Sequence, residues 1–318
     1  LIFWQRLPTA VSVGGDPFSH EHLNRSLEAA GLTHAEAHQM ARAIETQLID
    51  QHRTHISQAD LENLVIDTLV QEHGKAPARR YRIWRAWRRQ KKPLVILIGG
   101  ASGVGKTTLA VRLANLLDIP RVVATDDIRQ IMRLTLAPEL LPSIHASSYA
   151  TQSSTNTVFD DDIAGYREQA QLVSVGVRAI IERCIKENSS VIVDGVHLHP
   201  DFVNTTAYLQ SSYVVRMVLS ISDVKAYKKR FAQRAHEAPA REQNHYLKNL
   251  PRILKIQEHL LTAHTENDLP VIDTAAVDDP VFETMIAVAE QLGSYKNINR
   301  SAGLLRRKRK KQVVTPKK

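Results

Sequence analysis

One octapeptide restricts what this chain can fold into. Gly100-Ala101-Ser102-Gly103-Val104-Gly105-Lys106-Thr107 has the spacing G-x-x-x-x-G-K-[ST]. It follows the apolar run Leu94–Ile98 and opens an amphipathic stretch carrying Leu109, Leu113, Leu116 and Leu117. A buried strand feeding such a loop belongs to a sheet covered on both faces, and the helix leaving it aims its N-terminus back at the loop. Four more apolar runs follow: Val122–Thr125, Val191–Asp194, Val214–Ile221 and Leu269–Asp273, with helical patterns in every gap. This alternation predicts an α/β fold, a five-stranded parallel sheet with helices on both faces, and the octapeptide makes the expected fold one of the P-loop NTPase kind.

The first 92 residues have a different rhythm and predict a small, mainly helical N-terminal domain after a short irregular or stranded start. Ser19 can cap a helix ending at Gly31, and Thr33-x-x-Glu36 forms a capping box. The helix after it carries Ala37, Met40, Ala41, Ile44 and Leu48 at three- and four-residue spacing. Ser57 caps a third helix, and a fourth over about 78–90 places Tyr81, Trp84 and Trp87 among arginines. Those aromatics can stack on bases or pack as the inner stripe of an amphipathic helix. Lys91-Lys92-Pro93 marks the boundary, so the expected domains are 1–92, 93–295 and a basic tail over 296–318.

The net charge of +9 belongs to that tail. Arg300–Lys318 holds nine Lys or Arg and no Asp or Glu, which leaves the rest of the chain balanced. Such a tail attracts polyanions weakly and without discrimination, or serves as a disordered solubilising extension. No apolar stretch approaches the ~20 residues of a membrane span, and no secretory signal is visible at the start, although Leu1 need not be the natural first residue. One cysteine, Cys184, excludes an internal disulfide framework and suits a reducing, cytoplasmic setting; its helical surroundings predict a buried structural thiol.

Parallel sheets bind ligands beyond the carboxyl ends of their strands, so the residues after each run are the candidates. Gly100 to Thr108 can wrap backbone N–H groups around phosphate oxygens. Lys106 can reach the β- and γ-phosphates of ATP, and the Thr107 hydroxyl can ligate Mg²⁺. After the second run, Asp126 can orient a hydroxyl and take its proton, with Asp127 as the candidate helix cap; both can equally serve only as caps. Arg129 and Arg133 share a helix face and suit an acceptor already carrying anions. Asp194, ending the third run, is the expected second support for Mg²⁺, directly or through water. His197-x-His199 and His20-x-His22 lack the accompanying ligands of a metal site. Beyond the fourth run, Lys225, Lys228, Lys229, Arg230 and Arg234 form either a lid over ATP or a solvated basic face.

The chain resembles the 2-phosphoglycerate kinases. The likeness runs through Leu94–Thr107, Ala124–Arg133, Glu139–Tyr149, Gly165–Glu187 and Val191–Pro200. The first 90 residues resemble an ATP-cone through Pro17-Phe18-Ser19 and Tyr81-Arg82-x-Trp84-Arg85. The resemblance implies transfer of the ATP γ-phosphate to the 3-hydroxyl of 2-phosphoglycerate, giving 2,3-bisphosphoglycerate. Asp126 would orient that hydroxyl, Arg129 and Arg133 would bind the acceptor, and Arg230 or Arg234 would complete the cage around the moving phosphoryl group. The family's third strand is expected to end in Glu, so Asp194 shortens the reach to Mg²⁺ by one methylene. Two other readings stay open: a P-loop kinase of another small anionic alcohol or nucleotide, and a non-catalytic nucleotide-sensing regulator that binds nucleic acid.

Overall fold

A computed structural model describes residues 12–13, 16–52, 55–151, 163–237, 243–298 and 300–301, with backbone alone at 16–17, 234–237 and 243–245. The basic run Arg306–Lys311 lies outside them. The chain forms two compact units. One gathers the described residues among 1–90 and 284–318, and the other spans Lys91–Glu283.

In the first unit, β1 (Ser12–Val13) pairs antiparallel with β2 (Asp16–Pro17) and parallel with β3 (His55–Ile56). Strands of two residues carry no periodicity, which is why the sequence showed only an irregular start. The helices are α1 (His20–Ala29), α2 (His34–Asp50), α3 (Gln58–Glu72) and α4 (Lys75–Arg88). Three open at the expected caps. Ser19 accepts from the His22 N–H at 3.2 Å, and Ser57 accepts from the Asp60 N–H at 3.1 Å. Thr33 accepts from the Glu36 N–H at 3.3 Å while Glu36 accepts from the Thr33 N–H at 2.8 Å, so the capping box is complete. The fourth begins at Lys75 after Gly74, earlier than its aromatic spacing suggested.

Ala37, Met40, Ala41, Ile44 and Leu48 are all buried, in one core with Leu27, Val65, Leu69 and Tyr81. Trp84 and Trp87 are buried too, with rings edge to face at 5.6 Å. The aromatic stripe of α4 is therefore packed, which leaves no platform for bases. Its arginines serve the same packing: Arg85 Nε donates to buried Glu62 at 2.7 Å, and Arg89 pairs with the same carboxylate.

The second unit runs β4 (Leu94–Gly100), α5 (Lys106–Leu117), β5 (Val122–Ala124), α6 (Thr125–Thr135), α7 (Pro142–His145), α8 (Ala164–Lys186), β6 (Val191–Gly195) and β7 (Tyr213–Ser220). It continues through α9 (Val224–Glu237), α10 (Gln243–Lys248), α11 (Leu250–Glu266) and β8 (Val271–Asp273). The five strands are parallel in the order β5-β6-β4-β7-β8. Every residue of β4 is buried. Its alternate residues Val95 and Leu97 meet Val173, Val177, Ile181 and Cys184 of α8. The opposite set, Leu94, Ile96 and Ile98, is equally buried, so the sheet is covered on both faces. Cys184 is the buried thiol expected of its helix. From β4 the sheet extends to β6 on one side and β7 on the other, and this switch point places a cleft at its carboxyl end. A final helix, α12 (Pro280–Ser294), follows β8. Among the described residues, no helix is long and apolar enough to cross a membrane.

Candidate active site

The phosphate loop closes where the octapeptide requires. Gly103 and Gly105 take φ of 92° and 93°, the left-handed region that glycine enters without strain, and Gly105 caps α5. Lys106 thus becomes the first residue of α5. Its Nζ donates to Ala101 O at 2.8 Å, folding the ammonium back over the loop. A side chain at Gly103 would also be blocked, because its Cβ would lie 2.5 Å from Phe231 Cε1.

Phe231 comes from the basic helix α9, and that helix sorts its side chains clearly. Lys225, Lys228 and Lys229 are exposed, whereas Tyr227 and Phe231 are buried. Arg230 turns inward. Its Nη1 donates to Val104 O and to Thr274 Oγ1, both at 2.9 Å, and Nη2 donates to Thr274 O at 2.7 Å. The three lysines therefore form a solvated face, while Arg230 braces the phosphate loop from outside. The side chain of Arg234 lies outside the described residues.

Thr107 and Asp194 meet directly, Oγ1 donating to Oδ2 at 2.8 Å. Asp194 is 1% exposed, and its other oxygen has no hydrogen-bond partner among the described residues. Burial pushes its carboxyl above the usual range, opposed by the Thr107 hydrogen bond and the Lys106 charge and reinforced by Asp126 and Asp127. A buried carboxylate with an orphaned oxygen beside a threonine hydroxyl is a donor set that fits a hard divalent cation. The methylene missing relative to Glu does not separate the pair. Elsewhere among the described residues no cluster of three or more His, Cys, Asp or Glu could hold a metal. His199 instead packs against Phe202 and His259, with ring centroids at 4.8 and 4.7 Å.

On the far side of the cleft, α6 starts immediately after β5. Its N-cap is Ala124, which makes no side-chain cap, so neither Asp126 nor Asp127 is the cap expected of one of them. Both sit exposed in the first turn, where the macrodipole favours acids. Arg129 Nε lies 3.4 Å from Asp126 Oδ1, and Nη1 donates to Ile144 O at 3.2 Å and Ala146 O at 3.1 Å. Arg133 is exposed one turn on. The structure thus joins Asp126 to Arg129, and separately Lys106, Thr107 and Asp194 around the phosphate loop.

Three functional candidates escaped the sequence reading: Thr125, Gln169 and the non-metal role of His197. Thr125 Oγ1 lies 2.7 Å from His197 Nδ1, and His197 Nε2 lies 3.0 Å from Gln169 Oε1. One signal was available, since Tyr166, Gln169, Ala170 and Val173 fall on one helical face and put Gln169 among apolar neighbours. Tyr149 ends the family-like stretch Glu139–Tyr149. It lies 5.8 Å from Tyr246, whose ring stacks on Phe231 at 5.0 Å, so an aromatic ladder runs from the phosphate loop to the segment that holds Arg129.

Comparison with known proteins agrees with this geometry. The ATP cone domain model matches residues 16–90, and an AAA domain model matches 95–253. The 2-phosphoglycerate kinase of Pyrococcus horikoshii is 35% identical over 271 residues, covering 85% of this chain and 88% of that protein. That of Pyrococcus furiosus is 35% identical over 277 residues, covering 86% and 90%. That of Methanocaldococcus jannaschii is 34% identical over 280 residues, covering 87% and 89%. With a phosphate loop and relatives at 34–35% identity aligned across both units, this chain belongs to the 2-phosphoglycerate kinase family.

Proposed function

We propose that the protein transfers the γ-phosphate of ATP to the 3-hydroxyl of 2-phosphoglycerate, giving 2,3-bisphosphoglycerate and ADP. The observation that carries this reading is the pairing of two half-sites at the carboxyl ends of adjacent strands. Thr107 and Asp194 meet at the ends of β4 and β6, and Asp126 and Arg129 stand at the end of β5.

The chain's own groups divide the work. Backbone N–H groups from Gly100 to Thr108 cradle the phosphates, and Lys106 swings from Ala101 O to the β- and γ-oxygens. Asp126, exposed at the head of α6, orients the acceptor hydroxyl and takes its proton. Arg129 and Arg133 offset the carboxylate and phosphate of the acceptor. Arg230 holds Val104 in place and stabilises the transferring group through the loop, and Arg234 follows one turn later on α9. Mg²⁺ bound by Thr107 and Asp194 would neutralise charge on the β- and γ-phosphates. The single buried thiol fits a cytoplasmic setting, and the basic tail contributes weak attraction for polyanions.

The test is an acceptor screen with purified protein and Mg·ATP. Product from 2-phosphoglycerate should show the two phosphomonoester ³¹P signals of 2,3-bisphosphoglycerate, and glycerate should react far more slowly. Phosphorylation of a nucleotide instead would overturn the acceptor assignment. Salt-sensitive polynucleotide binding without phosphotransfer would overturn the enzyme reading.

A further inference from the structure

Between the two half-sites lies a line of fully buried polar side chains with no part in binding phosphate, metal or acceptor. Gln169 and His197 are 0% exposed, and so is Thr125. Burying three polar groups is costly unless each is satisfied, and apolar side chains would fill the same volume more cheaply. Here each bond fixes the direction of the next.

The line starts at Gln169. Its Nε2 donates to Ser143 O and, at 3.0 Å, to Ala146 O. Two carbonyl partners settle which end of the amide carries hydrogen, so Oε1 faces His197 and can only accept. His197 Nε2, 3.0 Å away, must therefore carry a proton. A neutral imidazole then presents its lone pair at Nδ1, and the Thr125 hydroxyl donates to it across 2.7 Å. Burial holds the ring neutral by lowering its pKa to about 4, with Arg129 and Lys106 acting in the same direction and Asp126 against them.

Both ends of the line reach the acceptor side. Thr125 is the first residue of α6 and immediately precedes Asp126. At the other end, Ala146 O accepts from Gln169 and also from Arg129 Nη1 at 3.1 Å. We infer that His197, held as the Nε2–H tautomer between Gln169 and Thr125, is a positioning residue that fixes Asp126 and Arg129 relative to one another. The inference rests on the reading of Asp126 and Arg129 as acceptor-side groups.

Two substitutions divide the link, because each keeps one half of the imidazole. In His197→Asn, the amide oxygen can replace Nδ1 as acceptor for Thr125, while the bond to Gln169 is lost. In His197→Gln, the longer amide can still donate to Gln169, while Thr125 is released. We expect His197→Asn to raise KM for 2-phosphoglycerate about tenfold or more with kcat within about threefold, the scale of one buried group left unpaired. His197→Gln should lower kcat about tenfold or more and leave that KM within about threefold. Gln169→Met should follow His197→Asn. KM for ATP should stay within about threefold in all of them.

A fall in kcat with both KM values unchanged in every variant, the mark of a smaller active fraction, would overturn the inference and leave His197 a packing residue. ¹⁵N-histidine NMR of the wild-type chain, with His197 assigned through its sequential backbone and ring correlations, supplies the second readout. Nε2 should resonate as protonated and Nδ1 as unprotonated, without change between pH 8 and pH 5.5. An Nδ1–H tautomer, or an imidazolium forming in that window, would overturn the inference even if the variants fail to fold. The tautomer measurement needs no acceptor, so a wild type inert toward 2-phosphoglycerate would refute the proposed function and not this link.

Discussion

Gly195→Ala tests how closely β6 and α6 are joined, and the structure sets the size of the effect. A Cβ built on Gly195 would lie 2.6 Å from Thr125 Cβ and 2.7 Å from Thr125 Cγ2, and would overlap Oγ1. Either the strand or the start of the helix must shift. Overpacking of this kind costs about 1–3 kcal/mol. Turning Thr125 away also strips His197 Nδ1 of its donor, a further ~1–3 kcal/mol for a buried group left unpaired. A loss of ~2–6 kcal/mol is a large part of the ~5–15 kcal/mol that holds a typical protein folded. Thr125→Gly removes all three clashing atoms; alone it costs the His197 bond and up to ~1 kcal/mol for glycine in a helix. In the double variant the overpacking vanishes and the lost hydrogen bond is counted once. It should therefore be about as stable as Thr125→Gly alone. Urea unfolding of the full chain followed by circular dichroism, with m-values checked for constancy, measures the cycle. Additive losses, within ~0.5 kcal/mol, would refute the close approach.

Three further expectations follow from the same geometry. Lys106→Ala should lower kcat at least ~10²-fold, the value of one preorganised charge donor, with little change in Tm; a variant keeping over about a third of wild-type kcat would refute the role. Asp126→Asn should cost ~10²–10⁴-fold in kcat with KM for ATP unchanged, whereas Asp127→Asn should cost up to ~1 kcal/mol of stability, and the reverse pattern would transfer the role to Asp127. His197, His199 and His264 are buried with pKa values lowered to about 4, burial being the main cause in each. An unfolded chain takes up those protons near pH 6.5, so stability is complete above that pH and is lost as pH falls toward 4, by up to ~3 kcal/mol per histidine. A urea midpoint that stays flat across this window would contradict their burial as neutral groups.

The legible parts of this protein are those governed by short-range chemistry. Five apolar runs became five parallel strands within a residue or two; β4, β6 and β7 are buried nearly throughout, and a strand buried on both faces needs an unbroken apolar stretch. Ser19, Thr33 and Ser57 capped their helices because the partner N–H lies three residues away. The meeting of Thr107 with Asp194 was foreseeable from the rule for strand ends. The destinations of long side chains were not. Arg230 reads from sequence like the lysines beside it, and only the packing of Phe231 on Gly103 turns that side of α9 inward. Arg129 reads as a free anion binder, yet its carbonyl partners come from the segment around α7, which tertiary packing places there. His197-x-His199 has the look of a ligand pair, and nothing in its spacing reveals Gln169 waiting on α8.

Arg129 and Arg133, the arginines proposed to bind the acceptor, begin from unequal states and should contribute unequally. Of the five N–H donors of Arg129, Nε faces Asp126 and both hydrogens of Nη1 are taken by Ile144 O and Ala146 O. Among the described residues, Nη2 is the edge left for an anion. Arg129 is only 16% exposed and already ordered, so binding through Nη2 costs it little further freedom. Arg133 is exposed and must surrender rotamer freedom, worth up to ~2 kcal/mol, before its charge contributes. A charge-assisted contact to phosphate is worth ~1.5–3 kcal/mol, so removing either arginine should lower kcat/KM for 2-phosphoglycerate roughly 10–150-fold. Arg129→Ala should fall at the upper end of that range and Arg133→Ala at the lower. Arg129→Lys should rescue little, because an ammonium cannot bind two carbonyls and still offer a planar edge to the acceptor. Equal losses at the two positions, or full rescue by lysine, would show that Arg129 acts as a simple positive charge and that its seat on Ile144 and Ala146 is incidental to the chemistry.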